Sequence, residues 1–237
     1  MNRITSQGVQ LSLVTALISV IGGMTTLQTG FASERIAAQP KATISKPRSL
    51  SELEQAIVQE TNRVRSNPKA YAAELAILKQ YYKGTLLKLP GYLPLQMQEG
   101  AAIVDDAIRE LQTTSPLAPL VVSQGLSLGA RDHVRDLAPK GKVGHYGTDG
   151  SDPFKRMNRY GAWRGVAGEN ISFSPIATAK WHVMQLILDD GVKSRGHRKA
   201  ILNREYRLTG AACDAHAVYG QMCVMTYTQQ YLEGKPF

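Results

Sequence analysis

Apolar residues recur at helical spacing in seven segments of this chain. Residues three and four positions apart lie on one face of a helix, so such spacing predicts an amphipathic helix with one buried side. The predicted helices cover residues 51–66, 67–82, 101–111, 123–137, 152–160, 178–190 and 194–201. Most of the chain before residue 200 is therefore expected to be helical, with a loop from Lys83 to Met97.

Polar residues at the start of these segments match the chemistry of helix N-termini. Ser51 and Glu54 form an S-x-x-E capping box, in which each side chain accepts a backbone N–H at the helix start. Asn or Asp followed by Pro suits an N-cap and first helical residue, and Gly suits a helix end. The other predicted caps are Asn67, Ser123, Asp152, Thr178 and Ser194, and Gly191 is predicted to end the sixth helix.

Strand-like patterns gather late in the chain. Residues 166–173 form a short segment rich in residues that favour strands, and this predicts a strand. A hairpin is predicted around Cys213 and Cys223, which flank turn-compatible residues. Helices first and strands late favour an α+β fold over alternating α/β units.

The N-terminus has the pattern of an export signal. Arg3 precedes an uncharged apolar run, Leu11–Met24, which is too short for a comfortable membrane span, and Gly30-Phe31-Ala32 offers a signal-peptidase site. An uncleaved membrane anchor is the alternative. We therefore predict a signal peptide at 1–32, a proline-containing linker at 33–48 and one folded domain at 49–237, which is exported to the periplasm, the cell envelope or the medium.

The net charge of the chain indicates which kinds of partner to expect. The chain carries a formal charge of +9, which falls to +8 without residues 1–32, and this favours anionic partners or serves solubility alone. The basic residues are scattered and no nucleic-acid-binding motif is present, so nucleic acid is not an expected partner. The mature domain is not expected to span a membrane, and the sequence does not fix its oligomeric state.

The two cysteines lie ten positions apart in the predicted hairpin. In an exported protein such a pair favours a disulfide between Cys213 and Cys223, and two buried free thiols are the alternative.

Two histidines in glycine-containing polar contexts are the main candidates for chemistry. His145 lies in a loop-like stretch, His197 lies between two helical patterns, and the triplet Gly168-Glu169-Asn170 falls between them. Two imidazoles and a carboxylate suit a metal site or acid–base catalysis. The alternative is that each histidine makes only local hydrogen bonds. His133 and His182, within predicted helices, are expected to be packing or surface residues and not ligands.

The order of these motifs resembles the motif order in the CAP superfamily, which comprises cysteine-rich secretory proteins, antigen 5 and pathogenesis-related class 1 proteins. The resemblance covers roughly residues 50 to 230. It rests on the motifs Asn62–Tyr71, Leu126–His133, Gly144-His145, Gly168–Ile171, Gly196–Leu202 and Gly210. It implies a three-layer α-β-α sandwich with a central antiparallel sheet.

The resemblance also implies a cleft in which two histidines and two acidic residues meet. It assigns His145, Glu169 and His197 to that cleft. The fourth member is a glutamate in eukaryotic members; here Asp189 or Asp190 would take its place, and Asp190 is included in the predicted set. His145, His197 and Glu169 are the predicted ligands of Zn²⁺ or another divalent cation, with Glu169 either a third ligand or an orienting residue.

Three functions remain open from the sequence. The first is an exported CAP-domain binding protein whose cleft takes a divalent cation, a small apolar ligand or lipid, or an envelope component. The second is a metal-assisted hydrolase using His145, Glu169 and His197. The third is a basic module that binds anionic envelope polymer and has a vestigial cleft. No H-E-x-x-H motif is present, so an enzyme is the less favoured interpretation and no catalytic residue is assigned.

Overall fold

Residues 49–234, which a computed structural model of the chain describes, form seven α-helices and two β-sheets. The predicted signal peptide and linker lie outside these residues. The helices are α1 (Glu52–Ser66), α2 (Pro68–Ala76), α3 (Ala102–Thr113), α4 (Gln124–Leu137), α5 (Pro153–Asn158), α6 (Ala179–Leu188) and α7 (Gly196–Ile201). Short 3₁₀ turns follow α2 at Ile77–Tyr81 and α4 at Ala138–Lys140.

Local capping chemistry explains where most helices begin. The Ser51–Glu54 capping box is formed in both directions at the start of α1. The side chains of the four other confirmed caps each accept a backbone N–H three residues on; these caps are Asn67, Ser123, Asp152 and Thr178. Such side chains satisfy donors that have no partner inside the helix.

The strands are β1 (Tyr82–Lys83), β2 (Leu86–Leu87), β3 (Leu95–Gln96), β4 (Val121–Val122), β5 (Gly161–Ser174), β6 (Leu208–His216) and β7 (Gly220–Glu233). The first three form a small antiparallel meander, and the main sheet has the order β4-β6-β7-β5. Its long strands pair antiparallel, while the two-residue β4 runs parallel to β6.

The main sheet is packed on both faces, which makes the fold an α-β-α sandwich. Along β7, Met225 and Tyr227 join a core with α1, α2, α3 and α6, while Met222 and Val224 join a second core with α4. This alternation follows from the two-residue period of a strand. The α+β, three-layer prediction is confirmed.

Close packing of α4 on the sheet requires glycine at one position of β6. A Cβ atom on Gly210 would lie 2.2 Å from the backbone nitrogen of Ser127 in α4. The conflict is with backbone, so it cannot be relieved by a side-chain rotation.

Four sequence predictions about elements were wrong. The helix α6 ends at Leu188, before Gly191, because Asp189 takes the left-handed conformation that terminates a helix. Arg195, also left-handed, occupies the position before α7, and Ser194 does not cap it. The predicted loop after α2 contains the β1–β3 meander, and β5 has 14 residues, well beyond 166–173.

The predicted hairpin and its disulfide are present. Cys213 in β6 lies directly opposite Cys223 in β7, and the two are bonded. The bond is close to the turn between the strands and faces the core that contains α1.

Candidate functional site

The first half of the site is a pair formed by His145 and Glu169, called here the first dyad. The Nδ1 atom of His145 lies 2.9 Å from a carboxylate oxygen of Glu169. The Glu169 side chain is 1% exposed, whereas the imidazole of His145 is 45% exposed. A buried carboxylate therefore holds one nitrogen of an imidazole that reaches solvent.

Arg156, which is buried in α5, supplies the charge that balances Glu169. One guanidinium nitrogen donates to both carboxylate oxygens, at 2.8 and 3.1 Å. Another donates to the carbonyl oxygens of His145 and Ser151, at 3.1 and 2.8 Å. Arg156 thus ties the loop that carries His145 to the strand that carries Glu169, and an otherwise costly buried charge is paired.

The loop that carries His145 also contacts His133 in α4. The Nε2 atom of His133 lies 2.8 Å from the carbonyl oxygen of Gly144. A carbonyl can only accept, so Nε2 carries the proton. Burial lowers the pKa of His133, which favours the neutral ring. His133 is therefore a buried neutral residue that supports the loop carrying His145.

The second half of the site is the pair formed by His197 and Asp189, called here the second dyad. The Nδ1 atom of His197 lies 2.6 Å from one oxygen of Asp189. The other oxygen accepts the backbone N–H groups of His197 and Arg198, at 2.8 and 3.3 Å. Asp189 is buried, so its charge is compensated by helix-start donors of α7 as well as by the imidazole.

The structure places Asp190 elsewhere than in the predicted cleft set. Its carboxylate accepts the backbone N–H groups of Gln98 and Glu99, at 2.7 and 2.9 Å. The left-handed backbone of Asp189, with φ of 57°, turns the chain so that the two neighbouring acids point in different directions. It is Asp189 that contacts the histidine.

The two dyads are linked through consecutive residues of β5. Glu169 belongs to the first dyad, and the side-chain amide of Asn170 donates to the carbonyl oxygen of His197 at 3.0 Å. Consecutive strand residues point to opposite faces, so the dyads lie on either side of the same strand. Within residues 49–234, Nε2 of neither imidazole takes part in a hydrogen bond.

No three His, Cys, Asp or Glu side chains converge as a ready-made cation site in the described part of the chain. The oxygens of Glu169 are occupied by His145 and Arg156. The two imidazoles still suit a divalent cation. A histidine that ligates a metal through one ring nitrogen usually hydrogen-bonds to a carboxylate through the other.

Sequence comparison assigns the family. Residues 58–231 match the sequence model described as "CAP: Cysteine-rich secretory protein family". This chain belongs to the CAP family. None of the curated proteins compared with this CAP-domain protein matches it significantly.

Two solved structures are similar to the CAP domain. One is an extracellular protein containing a SCP domain from Bacillus anthracis str. Ames, with 20% identity and a TM-score of 0.37, over 54% of this chain and 39% of that chain. The other is an outer surface protein from Borrelia burgdorferi, with 14% identity and a TM-score of 0.41, over 70% of this chain and 95% of that one. This chain therefore matches well under half the length of the first. Both scores are low, so the family assignment depends on the sequence match.

None of the helices in residues 49–234 is both long enough and apolar enough to cross a bilayer.

Proposed function

We propose that this CAP-domain protein is exported and binds a divalent cation, with Zn²⁺ as the preferred ion, between the imidazoles of His145 and His197. The observation that carries the proposal is shared by the two dyads: a buried carboxylate holds Nδ1 and leaves Nε2 for a ligand. Imidazole nitrogen is a preferred ligand of Zn²⁺. The remaining coordination positions would go to water or to a small ligand.

Glu169 has the orienting role in this proposal. Its side chain is 1% exposed and both of its oxygens accept from Arg156. A carboxylate in that state fixes the tautomer and direction of His145, and it has little capacity left to ligate a metal or to act as a general base. For the same reason a binding function fits the geometry better than a metal-assisted hydrolase.

Export is supported by two features of the chain. The first is the apolar N-terminal run behind Arg3. The second is the bond between Cys213 and Cys223, since stable disulfides are typical of oxidising compartments. Intact-mass measurement of the protein recovered from the cells that make it tests the processing of this run: a mature N-terminus near Ser33 is expected, whereas retention of residues 1–32 would contradict cleavage and make the run a membrane anchor.

Calorimetric titration with Zn²⁺ tests the cation site. His145→Ala and His197→Ala should each weaken binding at least about tenfold, or about 1.4 kcal/mol. Affinity should also fall as the solution is acidified from about pH 7.5 to about pH 5.5, because a protonated imidazole cannot ligate. Tyr146→Ala is the matched control, because it removes an exposed side chain next to His145 and leaves both imidazoles.

Equal affinity in the wild type and both histidine variants would contradict the proposal. Both variants should fold, since each imidazole is partly exposed and lies outside the two cores. Far-UV circular dichroism of each variant checks this before titration.

A further inference from the structure

The outer edge of β5 lies between the two dyads and is a second binding feature of the molecule. Among residues 49–234, the sheet order β4-β6-β7-β5 gives β5 a single strand neighbour. An edge strand presents a row of backbone N–H and C=O groups that can pair with another strand.

The pairing of β6 with β7 shows which groups of β5 point outward. The backbone N–H of Cys213 donates to Glu54 and not to β7, so Cys213 and Cys223 are a pair without mutual backbone hydrogen bonds. Cys223 therefore directs its backbone groups toward its other neighbour, Ser172. Since the pattern alternates, Ser172 and Asn170 bond to β7.

Glu169, Ile171 and Phe173 therefore direct their backbone groups to the open edge. Independent support comes from Phe173, whose carbonyl oxygen accepts the side-chain amide of Gln185 at 3.2 Å instead of a strand partner. This contact closes the edge at one end. At the other end the pairing register shifts between Arg164 and Ala167, which interrupts the strand.

Between these ends, Ala167–Glu169 are partly exposed, Asn170 is buried and Ile171 keeps 7% exposure. Glu169 as a whole is partly exposed although its side chain is 1% exposed, so its exposed surface belongs to the main chain. Among residues 49–234, nothing hydrogen-bonds to the outward N–H and C=O groups of Glu169 or Ile171.

Exposed lysines lie close in sequence to the histidine of each dyad. Lys142 is exposed in the loop of the first dyad, and Lys193 and Lys199 are exposed on either side of His197. None of the three forms an ion pair with a carboxylate in the described part of the chain. The net charge of the whole chain, +9, has the same sign.

We propose that Ala167–Ile171 binds an extended acidic peptide by strand addition, with its backbone paired to Glu169 and Ile171. Main-chain hydrogen bonds would supply affinity, as in other cases of strand addition, and the lysines would favour acidic side chains. The loop that carries His145 and the start of α7, which carries His197, lie on opposite sides of the edge. A single strand fits between them more readily than the edge of a second copy, which would bring its own flanking helices.

Amide hydrogen exchange followed by NMR tests this, using a ten-residue peptide of alternating Thr and Glu as the probe. A chelator is present throughout, so the result is independent of the proposed cation. When about nine-tenths of the protein is bound, exchange at the Glu169 and Ile171 amides should slow by about tenfold. The Asn170 amide, which already pairs with β7, should change little. The matched control is the same peptide with methyl groups on its central amide nitrogens, which keeps the charge but cannot pair; it should give no protection.

Three outcomes would overturn the proposal. One is absence of binding by the unmethylated peptide. Another is binding that leaves the Glu169 and Ile171 amides unprotected or is equal for the methylated peptide, because charge alone would then explain it. The third is protection of both amides that rises with protein concentration in the absence of peptide, because a second copy would then occupy the edge.

Discussion

The two dyads place an imidazole on a buried carboxylate by different means. In the first dyad the charge of Glu169 is balanced by the buried guanidinium of Arg156, which also holds the loop. In the second, Asp189 is balanced mainly by backbone donors at the start of α7. The first dyad should therefore be sensitive to loss of a side-chain charge, and the second to changes in helix packing and capping.

The largest effect is expected from Arg156→Met. It leaves Glu169 buried without its cation and removes donors from the His145 loop, so the free energy of unfolding should fall by about 3–5 kcal/mol. Urea unfolding measures the change. Arg159→Met is the matched control: Arg159 is partly exposed, and its ion pairs with Asp132 and Asp149 should contribute no more than about 1 kcal/mol.

The double variant Arg156→Met, Glu169→Gln sharpens this test. Because the buried charge is then removed together with its partner, the loss should be smaller than the sum of the two single losses. Additive losses, or a cost of Arg156→Met no greater than that of the Arg159 control, would contradict the assigned role of Arg156.

A smaller loss of stability is expected when the pH is lowered, and it originates in α6, the helix next to the second dyad. His182 lies in α6, the helix that Asp189 terminates, and burial lowers the pKa of His182 from 6.5 to about 4. The unfolded chain then binds this proton more tightly than the folded chain does. The stabilisation is complete above about pH 6.5 and is lost as the pH falls toward 4, by about 2 kcal/mol between pH 7 and pH 5.

Urea unfolding at pH 7 and at pH 5 measures this loss. In His182→Gln the part due to His182 should disappear, while the contribution of His133, whose pKa is also lowered by burial, remains in both proteins. The same pH dependence in wild type and variant would show that His182 does not supply it.

The smallest effect on stability is expected from substitution of Asp189, which is compared here with its neighbour Asp190. Asp189→Asn keeps a polar cap and a residue that tolerates the left-handed backbone, so it should cost only about 1 kcal/mol. It should nevertheless weaken Zn²⁺ binding about tenfold, because the orienting charge on His197 is lost. Asp190→Asn, the control, should leave Zn²⁺ affinity unchanged in the same calorimetric titration. Equal effects of the two substitutions would remove the distinction drawn between Asp189 and Asp190.

Capping explains how much of the fold could be predicted from sequence. Ser51, Asn67, Ser123, Asp152 and Thr178 act on donors only a few residues away, so short-range patterns were sufficient. The end of α6 and the start of α7 depend on left-handed Asp189 and Arg195, a conformation that is uncommon for residues other than glycine. Their geometry is set by tertiary contacts, and the pattern gave no signal for it.

The site was predictable to a similar extent. The motif order indicated His145, Glu169 and His197, and the structure shows that the first two are in contact and that the third is joined to the adjacent Asn170. The sequence did not indicate Arg156, because an arginine in a short helix is usually a surface residue and its burial is known only from the structure. The helix α5 buries Arg156 together with Pro153 and Met157.

The central claim is that both imidazoles present Nε2 to the same cation. ¹⁵N NMR of the histidine rings during titration with Zn²⁺ tests it most directly. The account predicts that Nε2 of His145 and of His197 shift together and saturate at one equivalent, while the rings of His133, His182 and His216, all buried and hydrogen-bonded elsewhere, do not shift. A shift confined to one of the two rings, or to neither, would contradict it.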